Sequence, residues 1–184
     1  MATIVLVEGA SDRIALRSLA GRTGHDLVGG DVEIVELGGA TNAGRFLQGH
    51  RLAHPDDRVA GLYDAAEERF FRRGLERAGF GPVPDRRALE RLGFFACVED
   101  LEDELLRSLG VTTSEAVIEE QGELGSLRIL QRQPFQRTRT PQQQLHRFVS
   151  SRSGRKSLYA EALVAALDLD RAPRPLLDLL AWVR

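Results

Sequence analysis

Short apolar segments alternate with amphipathic segments over the first 110 residues, and this alternation constrains the fold more than any other feature of the chain. The apolar segments are short, and the first is rich in β-branched residues, which is typical of strands buried on both faces of a sheet. The amphipathic segments between them predict helices. Strands that alternate with helices form βαβ units, so we predict a parallel sheet flanked by helices, with strands at 3–7, 33–37, 58–63 and 93–98.

The pattern changes after Gly110, where no further strand is evident. Only helical periodicity remains, with prolines between the segments. We therefore predict an α/β domain over residues 1–110 and an all-helical extension, packed on it, over residues 111–184. The helices of the extension are predicted near 113–121, 125–132, 141–151, 156–168 and 174–183.

Composition excludes several classes of protein. Cys97 is the only cysteine, so the chain can form no intramolecular disulfide and no zinc site built from cysteines. The net charge of −2 argues against attraction to nucleic acid by overall charge, although a local basic face remains compatible with it. No apolar stretch approaches the ~20 residues of a membrane helix, and no signal-peptide core follows Met1. We expect a cytoplasmic protein without a membrane partner.

Acidic residues follow three of the four predicted strands. Glu8 and Asp64 each end a strand, and an acidic run follows the fourth, from Glu99 to Glu104. In an open parallel sheet the carboxyl ends of the strands share one edge, where ligands bind. Carboxylates that meet there repel one another and need cations, and oxygen ligands favour Mg²⁺ or Mn²⁺. The sequence thus predicts a metal centre, in which two ions would support phosphoryl displacement.

Three further acids are candidates for the same centre. Asp12 lies four residues after Glu8, where the first helix begins, with Ser11 as the expected N-cap. Asp100 and Glu102 would share one side of an extended segment, because alternate residues of extended backbone face the same way. The alternative is that acids such as Asp12 and Asp100 only stabilise helix N-termini.

Charge is segregated in the second half of the chain. Residues 99–123 carry nine acids and one base, whereas residues 125–160 carry eight bases and no acid. Arginines with interspersed Phe135 and Phe148 suit a nucleic-acid backbone, and a solvated helix face is the equally weighted alternative. We single out Arg152, Arg155 and Lys156 as candidate nucleic-acid contacts. Lys156 is the only lysine of the chain.

These motifs resemble a known family. The segment 7–12 (VEGASD) after an apolar strand, and 61–64 (GLYD) at the end of another, resemble the TOPRIM (topoisomerase–primase) domain, a Rossmann-like α/β fold. The likeness is nearest to the TOPRIM domain of the OLD (overcoming lysogenization defect) nucleases. That domain carries a Glu-Gly-x-x-Asp motif, a later acidic pair such as that in 100–103, and a lysine near the start of a C-terminal helix. Small stand-alone TOPRIM nucleotidyl transferase/hydrolase proteins are also similar, over nearly the whole chain.

The resemblance implies a role for each matched residue. Glu8 and Asp64 would bind a first Mg²⁺ or Mn²⁺ ion, and Asp12, Asp100 and Glu102 would hold a second. Lys156 would stabilise the charge that develops on the phosphate. One position departs from the family pattern, since the Asp-x-Asp pair that begins at Asp64 has Ala66 where its second acid belongs. Either Glu67 or Glu68 compensates, or one metal site is weakened.

The function expected from this resemblance is metal-dependent hydrolysis of DNA by an endonuclease. Two alternatives stay open. The departure at Ala66 favours a non-catalytic TOPRIM module that binds nucleic acid or a protein, and the same metal chemistry also suits a nucleotidyl transferase. Relatives with this domain commonly carry an ATPase on the same chain, so we expect this protein to act either alone or with a separate ATPase subunit.

Overall fold

Four parallel strands form one sheet in the order β2-β1-β3-β4, in a computed structural model that describes residues 1–25, 27, 31–151 and 154–184. The strands are β1 (Thr3–Val7), β2 (Val32–Glu36), β3 (Arg58–Asp64) and β4 (Phe94–Cys97). The predicted parallel α/β fold is confirmed. Every residue of β1 is buried, as its largely apolar sequence requires at the centre of a sheet.

Helices connect these strands. They are α1 (Ala10–Thr23), α2 (Ala43–Ala53), α3 (Glu68–Arg77) and α4 (Arg86–Arg91), and short 3₁₀ turns precede α2 and α3. Right-handed crossovers place α1 on one face of the sheet and α2 and α3 on the other, because the chain reverses its direction of travel across the sheet after β2. A cluster of buried residues from β1, β3, α2, α3 and α4 forms the core on the second face.

Close backbone packing at the centre of the sheet requires glycine at position 61. A Cβ added to Gly61 would lie 2.7 Å from the carbonyl oxygen of Leu6 and 3.1 Å from the Phe94 ring. Gly61 stands opposite both Leu6 of β1 and Phe94 of β4 in the strand register. A side chain at position 61 would therefore disturb the alignment of β1, β3 and β4.

The second half of the chain is helical. It contains α5 (Leu101–Glu120), α6 (Leu124–Arg132), α7 (Pro141–Val149), α8 (Arg155–Ala166) and α9 (Arg174–Trp182). Helix α5 contacts α6, α7 and α8. Thr140 caps α7 in a reciprocal pair with Gln143, which explains why that helix begins at Pro141.

The chain divides into two compact units, and the boundaries differ from those expected. One unit comprises residues 1–100 together with 174–184, and the other comprises residues 101–173. Gly110, the predicted boundary, instead introduces a break in α5, with φ 76° and ψ 169°. Helix α9 belongs with the sheet because it packs against β3 and β4, where the Trp182 ring stacks under the guanidinium of Arg58. We call these parts the α/β unit and the helical unit.

Candidate metal centre

Sheet topology brings Glu8 and Asp64 to the same place. Strands β1 and β3 are parallel neighbours in which Leu6 pairs with Gly61, so both strands reach the same edge of the sheet with their last residues. Glu8 follows β1 directly, and Asp64 is the last residue of β3. Both side chains are partly exposed at this edge.

Glu67 completes a group of three carboxylates. One oxygen each from Glu8, Asp64 and Glu67 lies within 4.8 Å of the other two. Glu67 reaches the group because a 3₁₀ turn (Ala65–Glu67) follows β3 before α3 begins. Glu67, three residues after Asp64, therefore belongs to the group to which an acid at position 66 would be expected to contribute.

Glu68, the other acid that the sequence offered as compensation, binds arginine instead. Its Oε2 accepts a hydrogen bond of 2.9 Å from Nε of Arg86, and its Oε1 lies 3.9 Å from Nη1 of Arg72. Two consecutive glutamates thus contact different groups. Glu67 lies with the acidic group, and Glu68 joins α3 to α4.

The electrostatics of this group favour a bound cation. Burial, as the largest cause, and the negative charges of Glu8, Asp100, Asp12 and Glu67 together raise the pKa of Asp64 to about 8. Burial also raises the pKa of Glu67, with the charge of Glu8 as the next cause. Among the described residues, the buried Oε2 of Glu67 has no hydrogen-bond partner. Carboxylates that repel one another, one of which has a buried oxygen without a donor, fit a hard divalent cation such as Mg²⁺ or Mn²⁺.

Asp12 lies at the rim of the same group and has a local structural task. Its Oδ2 accepts a hydrogen bond of 2.8 Å from the amide of Gly9, at the start of α1. The predicted N-cap was wrong, since Gly9 rather than Ser11 occupies that position. Asp12 is the N3 residue of the capping arrangement, so its carboxylate is fixed while its charge still acts on Asp64.

Asp100 and Glu102 do not share an extended segment, so that premise was wrong. Helix α5 begins at Leu101 and places Glu102 in its first turn. Asp100 precedes the helix, and its charge contributes to the raised pKa of Asp64. Acidic residues are favourable in the first turn of a helix, because they interact with the positive end of its dipole. The acidic run from Glu99 to Glu104 therefore contains the start of α5 rather than an extended segment.

Glu102 and Lys156 form an ion pair within the helical unit. Nζ of Lys156 donates a hydrogen bond of 3.0 Å to Oε2 of Glu102, whose side chain is 3% exposed. Among the described residues, Oε1 of Glu102 has no hydrogen-bond partner. The Lys156 side chain is 44% exposed.

Arg155, a predicted nucleic-acid contact, is buried and bonded within the helical unit. Its guanidinium pairs with Glu123, donates to the carbonyl oxygen of Phe148 and stacks on the Phe148 ring. Tyr159 donates a hydrogen bond of 2.8 Å to the same Glu123. In the sequence, only the opposite charges of Arg155 and Glu123 indicate this network. The third predicted contact, Arg152, lies outside the described residues.

Comparisons with known proteins support the resemblance. Residues 2–51 match the family model of the overcoming lysogenization defect protein-like TOPRIM domain. A search of curated proteins finds no match. Among solved structures, the C-terminal region of the OLD protein of Xanthomonas campestris pv. campestris is 20% identical, with a TM-score of 0.75 over 98% of this chain and 93% of that one. The corresponding region of the Burkholderia pseudomallei OLD protein is 19% identical, with a TM-score of 0.68 over 98% and 96%.

The fold is a parallel α/β fold similar to that of the OLD C-terminal regions, and its carboxyl edge carries an acidic group. The family match over residues 2–51, which includes Glu8 and Asp12, and the shared fold confirm the resemblance to OLD-like TOPRIM proteins. Within the described residues, no helix combines the length and apolar character needed to cross a bilayer.

Proposed function

We propose that the protein is a Mg²⁺- or Mn²⁺-dependent nuclease that hydrolyses phosphodiester bonds of DNA. The observation that carries this proposal is the group of three carboxylates at the carboxyl edge of the sheet, with ligand oxygens within 4.8 Å of one another. The match of residues 2–51 to an OLD-like TOPRIM domain supports the choice of reaction.

Each acid has a proposed part in the reaction. Glu8, Asp64 and Glu67 would hold an ion, and Asp12 and Asp100 would contribute charge at the rim for a second. A bound pair of such ions activates water and stabilises the charge on the phosphate. Asp12 keeps the loop after β1 in place through the Gly9 amide, so Glu8 enters the group in a fixed position.

Lys156 and Glu102 have proposed parts that follow from the resemblance. Lys156 would stabilise negative charge on the phosphate, and Glu102 would position its ammonium through the 3.0 Å hydrogen bond. Glu102 as a ligand of the second ion is an assignment that the resemblance alone supports. The guanidinium of Arg155 is already paired with Glu123. Arg155 is therefore proposed to hold the backbone at Lys156 in place and not to bind phosphate.

Plasmid cleavage tests the proposal. We expect the purified protein to nick or linearise supercoiled plasmid with Mg²⁺ or Mn²⁺, and not with a chelator. Glu8→Gln and Lys156→Ala should each lower the cleavage rate by about a hundredfold or more, because one weakens metal binding and the other removes the cation. Glu33→Gln, an exposed glutamate of β2, is the matched control and should cleave as the parent does.

Other outcomes favour the alternatives. Binding of DNA without cleavage under any metal would favour a non-catalytic module, and incorporation of labelled nucleotide would favour a transferase. A separate ATPase subunit stays a proposal, tested by whether cleavage becomes ATP-dependent when a candidate subunit is added.

The missing acid at Ala66 leads to a second test. Glu67→Gln should lower Mn²⁺ affinity at least tenfold, since it replaces one of three clustered carboxylates. Glu68→Gln, one residue away, should leave the affinity within twofold, because Glu68 bonds to Arg86. Isothermal titration with Mn²⁺ measures both, and equal reductions in the two variants would contradict the assignment of Glu67.

A further inference from the structure

An arginine row lies on the exposed side of α3. Arg69, Arg73 and Arg77 recur every four residues and are all exposed, whereas Phe71 and Leu75 of the same helix are buried. Residues four apart lie on the same side of a helix, one turn above another, so the three side chains leave the helix about 6 Å apart along its axis. The row extends over about 12 Å.

Within the described residues, Arg73 and Arg77 lack the acidic partners that several other cations have, whereas Arg69 lies over the Phe70 ring, 4.7 Å from its centroid. Arg72, also on α3, donates to the carbonyl oxygen of Val83, and Arg86 pairs with Glu68. By contrast, no hydrogen bond or ion pair engages Arg73 or Arg77 in the described part of the chain. Since neither Arg73 nor Arg77 is paired with an acid, the row forms a local positive surface on a protein of net charge −2.

The row begins beside the candidate metal centre. Arg69 follows Glu67 by two residues and lies close enough for its charge to act on the Glu67 carboxyl. Helix α3 follows β3 after the 3₁₀ turn, and the connection that contains it leads away from the acidic edge because β3 and β4 are parallel. A nucleic-acid strand that approaches the acidic group along α3 would contact these arginines with its phosphates.

We propose that Arg69, Arg73 and Arg77 bind the phosphate backbone of the DNA strand that enters the acidic group. The proposal rests on the function proposed above in taking DNA as the ligand. Arginine forks bind phosphate oxygens in two-point contacts, and a row on one helix contacts successive phosphates without reading the bases. The helical unit also exposes arginines, but the row on α3 belongs to the same unit as Glu8, Asp64 and Glu67.

Binding measured without metal separates this inference from catalysis. The full chain is titrated against a fluorescein-labelled DNA duplex of random sequence, in chelator, at several salt concentrations, with fluorescence anisotropy as the readout. The variants are Arg73→Gln, Arg77→Gln and the double variant. Arg17→Gln is the matched control, because Arg17 is equally exposed on α1, across the sheet from α3.

We expect each single variant to weaken binding three- to tenfold and the double variant more. The slope of log affinity against log salt should become shallower by about 0.9 for each phosphate-binding arginine that is replaced. Arg17→Gln should change neither quantity. A salt slope that is unchanged in the double variant, or lowered equally by Arg17→Gln, would overturn the proposal. If the plasmid is never cleaved but the slope still falls as expected, the inference stands and only the nuclease proposal fails.

Discussion

The surroundings of Asp64 in the α/β unit strongly raise the pKa of its carboxyl group. Asp64 ends a central strand, so burial and four neighbouring carboxylates act on it together and raise its pKa to about 8. A carboxyl group of this kind binds a proton where a free aspartate would not. The same arrangement that destabilises the charged side chain would favour a bound divalent cation.

The pH dependence of stability should reveal this residue. Between about pH 4 and 8 the folded protein holds a proton on Asp64 that the unfolded chain releases, so the free energy of unfolding should fall as pH rises through this range. In metal-free protein, Asp64→Asn should raise the free energy of unfolding at pH 8 by roughly 1–2 kcal/mol, after allowance for screening by solvent, and by less at pH 5.

Urea unfolding at both pH values measures this difference. The exposed Asp56→Asn is the matched control and should be equal to the parent at each pH. The interpretation of Asp64 would fail if Asp64→Asn proved less stable than the parent at pH 8 without metal.

At the scale of elements, the packing of α2 on α3 positions Glu67 and the arginine row. The two helices meet at Gly44 and Gly74, where a Cβ added to Gly74 would lie 2.9 Å from the Gly44 Cα and 3.1 Å from Cδ1 of Leu47. Backbone-to-backbone contact of this kind leaves no room for a side chain. The packing of α3 on α2 therefore depends on Gly74, whereas a Cβ added to Gly44 would lie at an ordinary contact distance of 3.6 Å from the Gly74 Cα.

Two glycine-to-alanine substitutions should have opposite effects. Gly74→Ala should destabilise the protein by about 1–3 kcal/mol, because the added methyl forces the helices apart. Gly49→Ala, in α2 with nothing within 4 Å of the added Cβ, should stabilise it by about 0.5–1 kcal/mol through helix propensity. Urea midpoints at constant m-value measure both effects, and equal stability of Gly74→Ala and the parent would refute the close-packing argument.

Strands and most helices could be predicted from the sequence, because buried parallel strands carry an apolar signal that few other segments share. Helix α4 could not, since it is six residues long and mostly charged. The start of α5 was hidden because its first turn is acidic, which looks like a metal-binding loop when read as sequence. Glu8 and Asp64 were predictable from strand ends, but the choice of Glu67 over Glu68 depends on the turn after β3 and on Arg86.

At the scale of the whole molecule, a net charge of −2 conceals strong local separation of charge. Part of the charge in the second half of the chain is paired within the helical unit. Glu115 pairs with Arg128, and Glu102 pairs with Lys156. In the α/β unit, acids cluster at the sheet edge while arginines lie exposed along α3. A divalent cation would therefore relieve repulsion between carboxylates mainly at the acidic edge of the sheet.

Metal binding should stabilise the folded protein as a whole. At a Mn²⁺ concentration about a hundred times its dissociation constant, the added stability is about 2.7 kcal/mol, which corresponds to roughly 5–10 °C in Tm for a chain of this size. Thermal denaturation with Mn²⁺ and then with excess chelator measures the increase and its reversal. Glu8→Gln should abolish most of the shift, and a shift of equal size in that variant would indicate metal bound elsewhere.

Because α9 returns to the sheet after residues 101–173, the α/β unit is discontinuous along the chain. The helical unit thus has the topology of a domain insertion between β4 and α9. Domains of this kind tolerate changes in the inserted segment as long as the host keeps its own core. Changes in the length of this insertion would leave the sheet and its acidic edge unaltered, but its wholesale replacement would remove Glu102 and Lys156.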